Sequence, residues 1–213
     1  MMFKKMGLGL IGIILVIGGV LLLKQPVKTD ILKELGQKQT LRNQTSEQKD
    51  VIIDVSGYYD VTTLKGQDGA QAISRLPTVG QTLVGQFFDK GESVQLASQQ
   101  EVEMKPAKFA KLDVKNKAVK LTNGGSYLVG KQFPAGTYKI SLNTVLPEII
   151  NKRGKADVAI IQGGVYSPEK PYETEAFELS NDKMSTVVKL ENDKLLAIKS
   201  PVVEISLTLE INK

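Results

Sequence analysis

Carboxylates are the first candidates for chemistry in this sequence, because the chain has no His to act as a base near neutral pH and no Cys to act as a nucleophile. A glycosidase needs two carboxylates about 5 to 10 Å apart across a sugar cleft. The acidic residues considered for such a pair are Asp54 and Asp60 on neighbouring predicted strands, and Glu173, Glu175 and Glu178 in one acidic segment. None of them belongs to a recognised catalytic motif, and we predict no catalytic residue.

Carboxylates two residues apart on a strand have a simpler explanation than catalysis, because alternate residues of a strand point to the same face. Glu101 and Glu103, and likewise Glu173 and Glu175, are therefore expected to line solvated faces.

The missing residue types exclude several kinds of site. Without His, Cys or Trp the chain has no Ser-His-Asp triad, thiol nucleophile, thiolate or imidazole zinc site, disulfide or lipid-modified cysteine. The acidic residues lack the spacing of a calcium loop, and the glycines at 66–69 and 163–164 lack the lysine and helix of a nucleotide loop. We predict a protein that is not an enzyme, with no cofactor and no metal site.

The charge and the aromatic residues point to no particular ligand. The formal net charge is +5 and is thinly spread, without the basic clusters and interleaved aromatics of nucleic-acid binders, so no nucleic acid is expected. A mildly cationic face would still attract an anionic envelope surface. The aromatic side chains are expected to be mostly core, and no ligand-binding residue is selected from the sequence.

An unbroken uncharged and largely aliphatic run covers residues 6–23, preceded by Lys4 and Lys5 and followed by Lys24. As a helix it is about 27 Å long, close to the thickness of the hydrocarbon core. We predict a single-pass anchor that contacts the lipid bilayer through residues 6–23. The alternative is a cleavable signal peptide, but the run continues past Gly18 and Gly19, where cleavage would be expected.

The short N-terminal tail favours a cytoplasmic N-terminus and an extracytoplasmic C-terminal domain, although lysines beyond the run weaken the charge asymmetry. The predicted organisation is a membrane anchor with its tail over 1–29, a juxtamembrane stalk over 30–50, one β module over 51–112 and a second over 113–213. The predicted stalk is rich in Lys, Gln, Glu and Thr and has only a broken apolar stripe.

From residue 51 onward the pattern has the period of strands. The predicted strands are 51–55, 58–63, 93–97, 101–104, 118–121, 127–129, 137–142, 157–161, 176–179, 186–190, 195–199 and 202–209. Short helices are predicted at 69–75 and 146–152. Turn residues at 89–91, 123–125, 134–136 and 191–193 separate strands. The fold class is mainly all-β, with two small sandwich or barrel-like modules after the transmembrane helix.

Residues 127–140, with the sequence YLVGKQFPAGTYKI, resemble a motif of small extracytoplasmic β-module proteins of low-GC Gram-positive bacteria, approximately Y-x-V-G-x-D-I-P-A-G-x-Y-x-I. The segment around 185–205 resembles the closing hairpin of the same group. This chain carries Gln132 and Phe133 where the motif has Asp and Ile, so no role of that Asp carries over. Gly130, Gly136 and Tyr138 are expected to be turn and core residues.

Residues 57–61, GYYDV, parallel residues 136–140, GTYKI, and the stretch after Asp89 parallels the hairpin after Glu191. This favours a second, diverged copy, although period-two patterning alone also makes short hairpins look alike. The resemblance implies location and fold. Our leading hypothesis is a membrane-anchored accessory or interaction protein of the bacterial envelope that contacts an envelope protein or a wall polymer. The alternatives are a cell-wall hydrolase with paired carboxylates and a subunit of a larger membrane assembly.

Overall fold

A computed structural model of the chain describes residues 30–66, 76–144, 155–161, 173–180, 184–199 and 206–211. These residues form β-strands and one 3₁₀ turn, Ile31–Lys33, so the mainly-β prediction is confirmed. The described residues include no helix that could span a bilayer. The predicted anchor over 6–23 and the predicted helices at 69–75 and 146–152 lie outside the described residues.

The first module consists of strands on both faces of one core. Its strands are β1 (Gln39–Arg42), β2 (Lys49–Ile52), β3 (Gly57–Lys65), β4 (Thr82–Phe88), β5 (Ser93–Leu96) and β6 (Glu101–Pro106). One sheet has the order β1-β6-β3-β4, and β2 pairs with β5 in a separate two-stranded sheet. All of these pairs are antiparallel. Inward residues of both sheets, such as Tyr59, Phe88 and Leu96, share a buried core.

The second module repeats this plan with additions. Its strands are β7 (Val114–Lys115), β8 (Ala118–Leu121), β9 (Gly125–Leu128), β10 (Gly136–Thr144), β11 (Lys155–Ile161), β12 (Glu173–Ser180), β13 (Ser185–Leu190), β14 (Leu195–Lys199) and β15 (Ser206–Ile211). One sheet has the order β13-β10-β15-β8-β7, and the other runs β9-β14-β11-β12. Tyr127, Tyr138, Ile140 and Leu196 contribute to the core between the two sheets.

A single parallel contact joins the two modules into one continuous sheet. Val84 in β4 pairs with Gly125 in β9, so the described sheet has the order β1-β6-β3-β4-β9-β14-β11-β12. The Val84 N–H donates to the carbonyl oxygen of Gly124 at 3.1 Å. The modules are therefore linked through backbone as well as through side chains.

The predicted stalk over residues 30–50 is wrong for the described residues. Ile31 and Leu41 are buried, β1 pairs with β6, and β2 begins at Lys49 inside the first module. Strand β1 reads as polar because only one of its four residues, Leu41, faces the core. The sequence pattern does not predict strand β4, because Gly85 interrupts its alternation. Strand β4 forms a bulge at Gly85, opposite Asp60, where the register with β3 shifts.

The two modules share strand order and register. The order β1-β6-β3-β4 corresponds to β8-β15-β10-β13, and the pair β2-β5 corresponds to β9-β14. Gly57 pairs with Phe88 as Gly136 pairs with Leu190, and Tyr59 pairs with Pro106 as Tyr138 pairs with Ile211. The second module adds the hairpin β11–β12 between the strands that correspond to β3 and β4. Descent of the modules from a duplicated ancestor remains a prediction, which these matching registers favour.

Backbone hydrogen bonds match at the hairpin before β5 and β14. The Ile53 N–H donates to the Glu92 carbonyl at 2.9 Å, as the Val129 N–H does to the Lys194 carbonyl at 2.9 Å. The turns both place a residue at positive φ, Gly91 at 87° and Asp193 at 63°. The predicted turns at 89–91 and 191–193 are thus confirmed, and they occupy equivalent places.

A tyrosine fixes the start of the long strand in each module. The Tyr59 hydroxyl donates to the Val55 carbonyl and the Tyr138 hydroxyl to the Pro134 carbonyl, each at 2.6 Å and four residues back. Each ring also packs edge-on against a phenylalanine, with centroids 6.1 Å apart for Tyr59 and Phe88, and 5.9 Å apart for Tyr138 and Phe133. These contacts give both tyrosines the same structural role.

We expect Tyr59→Phe and Tyr138→Phe each to lower the free energy of unfolding by about 1 kcal/mol, because each leaves a carbonyl without its hydroxyl partner. At Tyr59 the Gln37 N–H, 3.4 Å from the hydroxyl oxygen, also loses its acceptor. Urea unfolding of the full chain followed by circular dichroism measures both changes. A loss at one position with none at the other would show that the two tyrosines are not equivalent.

Candidate functional site: the cavity between the modules

The junction between the modules is built on the carboxylate of Asp60 in β3. Its Oδ1 accepts the N–H of Gly85 at 3.0 Å, and its Oδ2 accepts the N–H of Lys108 at 3.2 Å. These bonds tie the β4 bulge and the linker that follows β6 to one side chain. The arrangement engages both carboxylate oxygens of Asp60, which is a structural role.

An apolar cluster seals one face of the continuous sheet at this junction. It combines Tyr58 and Phe87 of the first module with Leu128 and Leu195 of the second. Ile31 from the 3₁₀ turn and Phe109 from the linker cover it. Tyr58 contacts Phe87 and Phe109 edge-on, with centroid distances of 5.0 and 5.8 Å. The N-terminal segment and the linker therefore hold the two modules together.

A cavity of about 220 Å³ opens beside this junction. Both modules and the linker line it, with backbone and side chains of Asp60, Val84, Gly85, Lys108, Phe109, Ala110, Lys111, Leu112, Lys120, Leu121, Thr122, Asn123, Ser126, Tyr127 and Gln132. The volume is below the roughly 300 to 1,000 Å³ of drug-sized ligand pockets. It suits one small polar group, or one unit of a polymer.

Lysines dominate the charge of this lining. Lys108 and Lys111 lie on the linker and Lys120 on the outward face of β8, and all three side chains are exposed. None of the three forms an ion pair with a described residue, in contrast to Lys105, which lies 2.6 Å from Glu103. Asp60 is the one acidic residue in the described lining, so the cavity is net positive.

Gln132 contributes a hydrogen-bond donor to the same cavity. Its side chain is 5% exposed, and its Oε1 accepts the Leu128 N–H at 2.8 Å, which leaves Nε2 as the outward donor. Nε2 makes no hydrogen bond with the described residues. It is also not one of the fully buried side-chain atoms of those residues that lack a partner. Because Gln132 lines the cavity, this donor is available to a ligand.

Tyr127 forms part of the wall as a neutral hydroxyl. Burial raises the pKa of Tyr127 well above its ordinary value, and the charge of Asp60 raises it further. The hydroxyl donates to that carbonyl at 2.7 Å. It therefore remains protonated at neutral pH and braces the turn at 123–125, which is where the sequence predicted a turn.

The carboxylates considered from the sequence do not meet in the described part of the fold. Asp60 lies at the junction, whereas Asp54 is exposed after β2. Glu101 and Glu103 are partly exposed on one face of β6, as expected from their spacing, and Glu101 pairs with Arg42 at 3.0 Å. Glu173, Glu175 and Glu178 belong to β12, but the structure does not describe their side chains. The described residues contain no group of three or more acidic side chains placed to hold a metal.

The YLVGKQFPAG segment contains the end of β9 and the loop after it, and its Tyr127 and Gln132 line this cavity. Gly130 has φ 85° and its N–H donates to the Phe133 carbonyl at 2.7 Å, while the Leu112 N–H donates to the Gln132 carbonyl at 2.8 Å. The loop thus binds the linker to the second module. The sequence drew attention to Gln132 as a departure from the motif, but the lysines that lie near it carried no signal of their own.

A second cavity, of about 520 Å³, lies where the described chain begins. Asp30, Ile31, Leu32, Leu128, Gly130, Lys131, Asn192 and Asp193 line it. Its lining mixes both signs of charge with apolar residues, and we assign it no ligand.

No protein-family model matches the chain, and no curated protein matches it.

Proposed function

We propose that this chain is a non-catalytic interaction protein of the bacterial envelope, anchored in the membrane through residues 6–23, with its β modules outside the cytoplasm in contact with an envelope protein or a wall polymer. The observation that carries the proposal is the cavity between the modules. It presents three lysines and an amide donor, while the oxygens of its one described carboxylate accept backbone N–H groups. Such a lining suits binding better than acid–base catalysis, which needs a carboxylate free to exchange a proton.

The buried N-terminal turn supports a short link to the membrane. The described fold begins with Ile31 packed into the junction, so residues 24–29 are what separate it from the apolar run. Six residues reach at most about 20 Å when extended. In this proposal the folded body lies next to the headgroups rather than at the end of a stalk.

The experiment compares intact cells with opened cells. Protease added to intact cells is expected to cut the folded body. An antibody against the second module measures the loss of the intact protein. Protection in intact cells, with cleavage after lysis, would overturn the proposed location. Release of soluble fragments from purified cell wall by the full chain, abolished by Asp60→Asn, would overturn the non-catalytic assignment.

A further inference from the structure

We propose that the cavity between the modules binds an anionic oxygen group, of the phosphate or carboxylate type, carried by a polymer of the cell envelope. This rests on the proposed function and names the chemistry of its ligand. The amide Nε2 of Gln132 would donate to one oxygen of the group, and Lys108, Lys111 and Lys120 would balance its charge.

The first support is the direction of the hydrogen-bonding groups. Gln132 is a buried residue, 5% exposed, and its acceptor oxygen is occupied by the Leu128 N–H. A ligand at Nε2 must therefore supply an acceptor. An anionic acceptor would give this donor one of the stronger kinds of hydrogen bond.

The second support is the charge. Three lysines from two separate chain segments converge on one opening, and none of them is paired with a described carboxylate. Lysines on a solvated face are usually spread among acidic residues, as Lys38 and Lys105 are around Glu103. The carboxylate of Asp60 also lines the cavity, and both of its oxygens accept backbone N–H groups, so the three lysines outnumber the one acidic side chain of the described lining.

The third support is the size and position of the cavity. A volume of about 220 Å³ accommodates one small anionic group or one unit of a polymer, and both modules and the linker line the cavity.

The test uses the full chain in nanodiscs of neutral phosphatidylcholine at low ionic strength. Calorimetric titrations are made with a soluble glycerol-phosphate oligomer, a polygalacturonate oligomer and inorganic phosphate. We expect at least one oligomer to bind, and Gln132→Glu to weaken its affinity at least tenfold while circular dichroism shows an intact fold. This variant keeps the oxygen that accepts the Leu128 N–H and replaces the donor with a negative charge.

The lysines are tested by a charge-matched pair of triple variants. Lys108→Gln, Lys111→Gln and Lys120→Gln together should weaken binding at least tenfold. Lys49→Gln, Lys65→Gln and Lys90→Gln remove the same charge from exposed positions away from the cavity and should change it less than threefold. Equal losses in the two triple variants would show nonspecific attraction and overturn the proposal.

The probes separate the sources of the anion. Binding of an oligomer at least tenfold tighter than inorganic phosphate supports a polymer ligand, whereas equal affinity of the free anion overturns that part. If no probe binds at millimolar concentration, the proposed ligand of the cavity is overturned. If protease nevertheless cuts the body in intact cells, the proposed location still holds. Binding with a protected body contradicts the proposed location and retains the cavity chemistry.

Discussion

Replacing Gly125 with alanine should lower the free energy of unfolding by about 4 kcal/mol, the largest effect we expect from a single substitution in the described fold. Gly125 has φ 121°, where a side chain adds strain of about 1 to 2 kcal/mol. Its Cβ would also meet the Val84 carbonyl oxygen and the Val84 nitrogen, with 2.6 Å to the nitrogen. These are backbone atoms of β4, so the contact can be relieved only by parting the two modules, which adds a further 1 to 3 kcal/mol typical of overpacking.

Gly91→Ala is the matched control for this substitution. Gly91 also has a positive φ, 87°, but a Cβ there meets no atom within 4 Å, and the equivalent place in the second module carries Asp193. We expect it to cost about 1 kcal/mol, from backbone strain alone. Urea unfolding of the full chain followed by far-UV circular dichroism measures both variants. A Gly125→Ala loss no greater than that of Gly91→Ala would mean that β4 and β9 do not approach as closely as described.

Asn43→Ala should lower the free energy of unfolding by about 3 kcal/mol. The side chain is 2% exposed, and its Nδ2 donates to the carbonyls of Glu47 at 2.7 Å and Ala97 at 2.8 Å. Its Oδ1 accepts the N–H and the hydroxyl of Thr45 at 3.0 and 2.7 Å. Alanine removes all of these partly buried hydrogen bonds at once, and each group left without its partner costs up to about 1 to 3 kcal/mol, partly relieved by water.

Two further variants separate the parts of this effect, again by urea unfolding of the full chain. Asn43→Asp keeps the acceptor for Thr45 but faces two carbonyls with a negative oxygen, so it should cost at least as much as alanine. Asn123→Ala, at the equivalent position after β8, changes a half-buried side chain and should cost less than about 1 kcal/mol. A loss at Asn43 as small as at Asn123 would contradict the network.

Much of the β architecture follows from local pattern. Strands such as β8 and β14 were predicted with their observed bounds, because alternation of buried and exposed residues is a local property of a half-buried strand. The turns at 89–91 and 191–193 were predicted from residues that tolerate positive φ. The parallel between GYYDV and GTYKI also proved to lie on strands of the same register, β3 and β10.

The same alternation pattern does not predict strands that have few inward-facing residues or an irregular period. Strand β1 places one residue in the core, and β4 contains a glycine bulge, so neither shows a clean period of two. The residues of the cavity were missed for a different reason. Lys108, Lys120 and Gln132 are separated along the chain by a linker, a strand and a turn, and no spacing rule connects them.

The sequence by itself determined that this protein is rich in β-strands and lacks the residues for thiol or histidine chemistry, because composition and alternation depend only on which residues are present and on their neighbours. The tertiary structure decided that residues 30–50 belong to the fold, that β4 and β9 join the halves, and that three lysines and one buried amide share a cavity. Those outcomes depend on which sheet edges pair and which distant side chains pack together, and these long-range choices are made by the free energy of the whole chain rather than by any one segment.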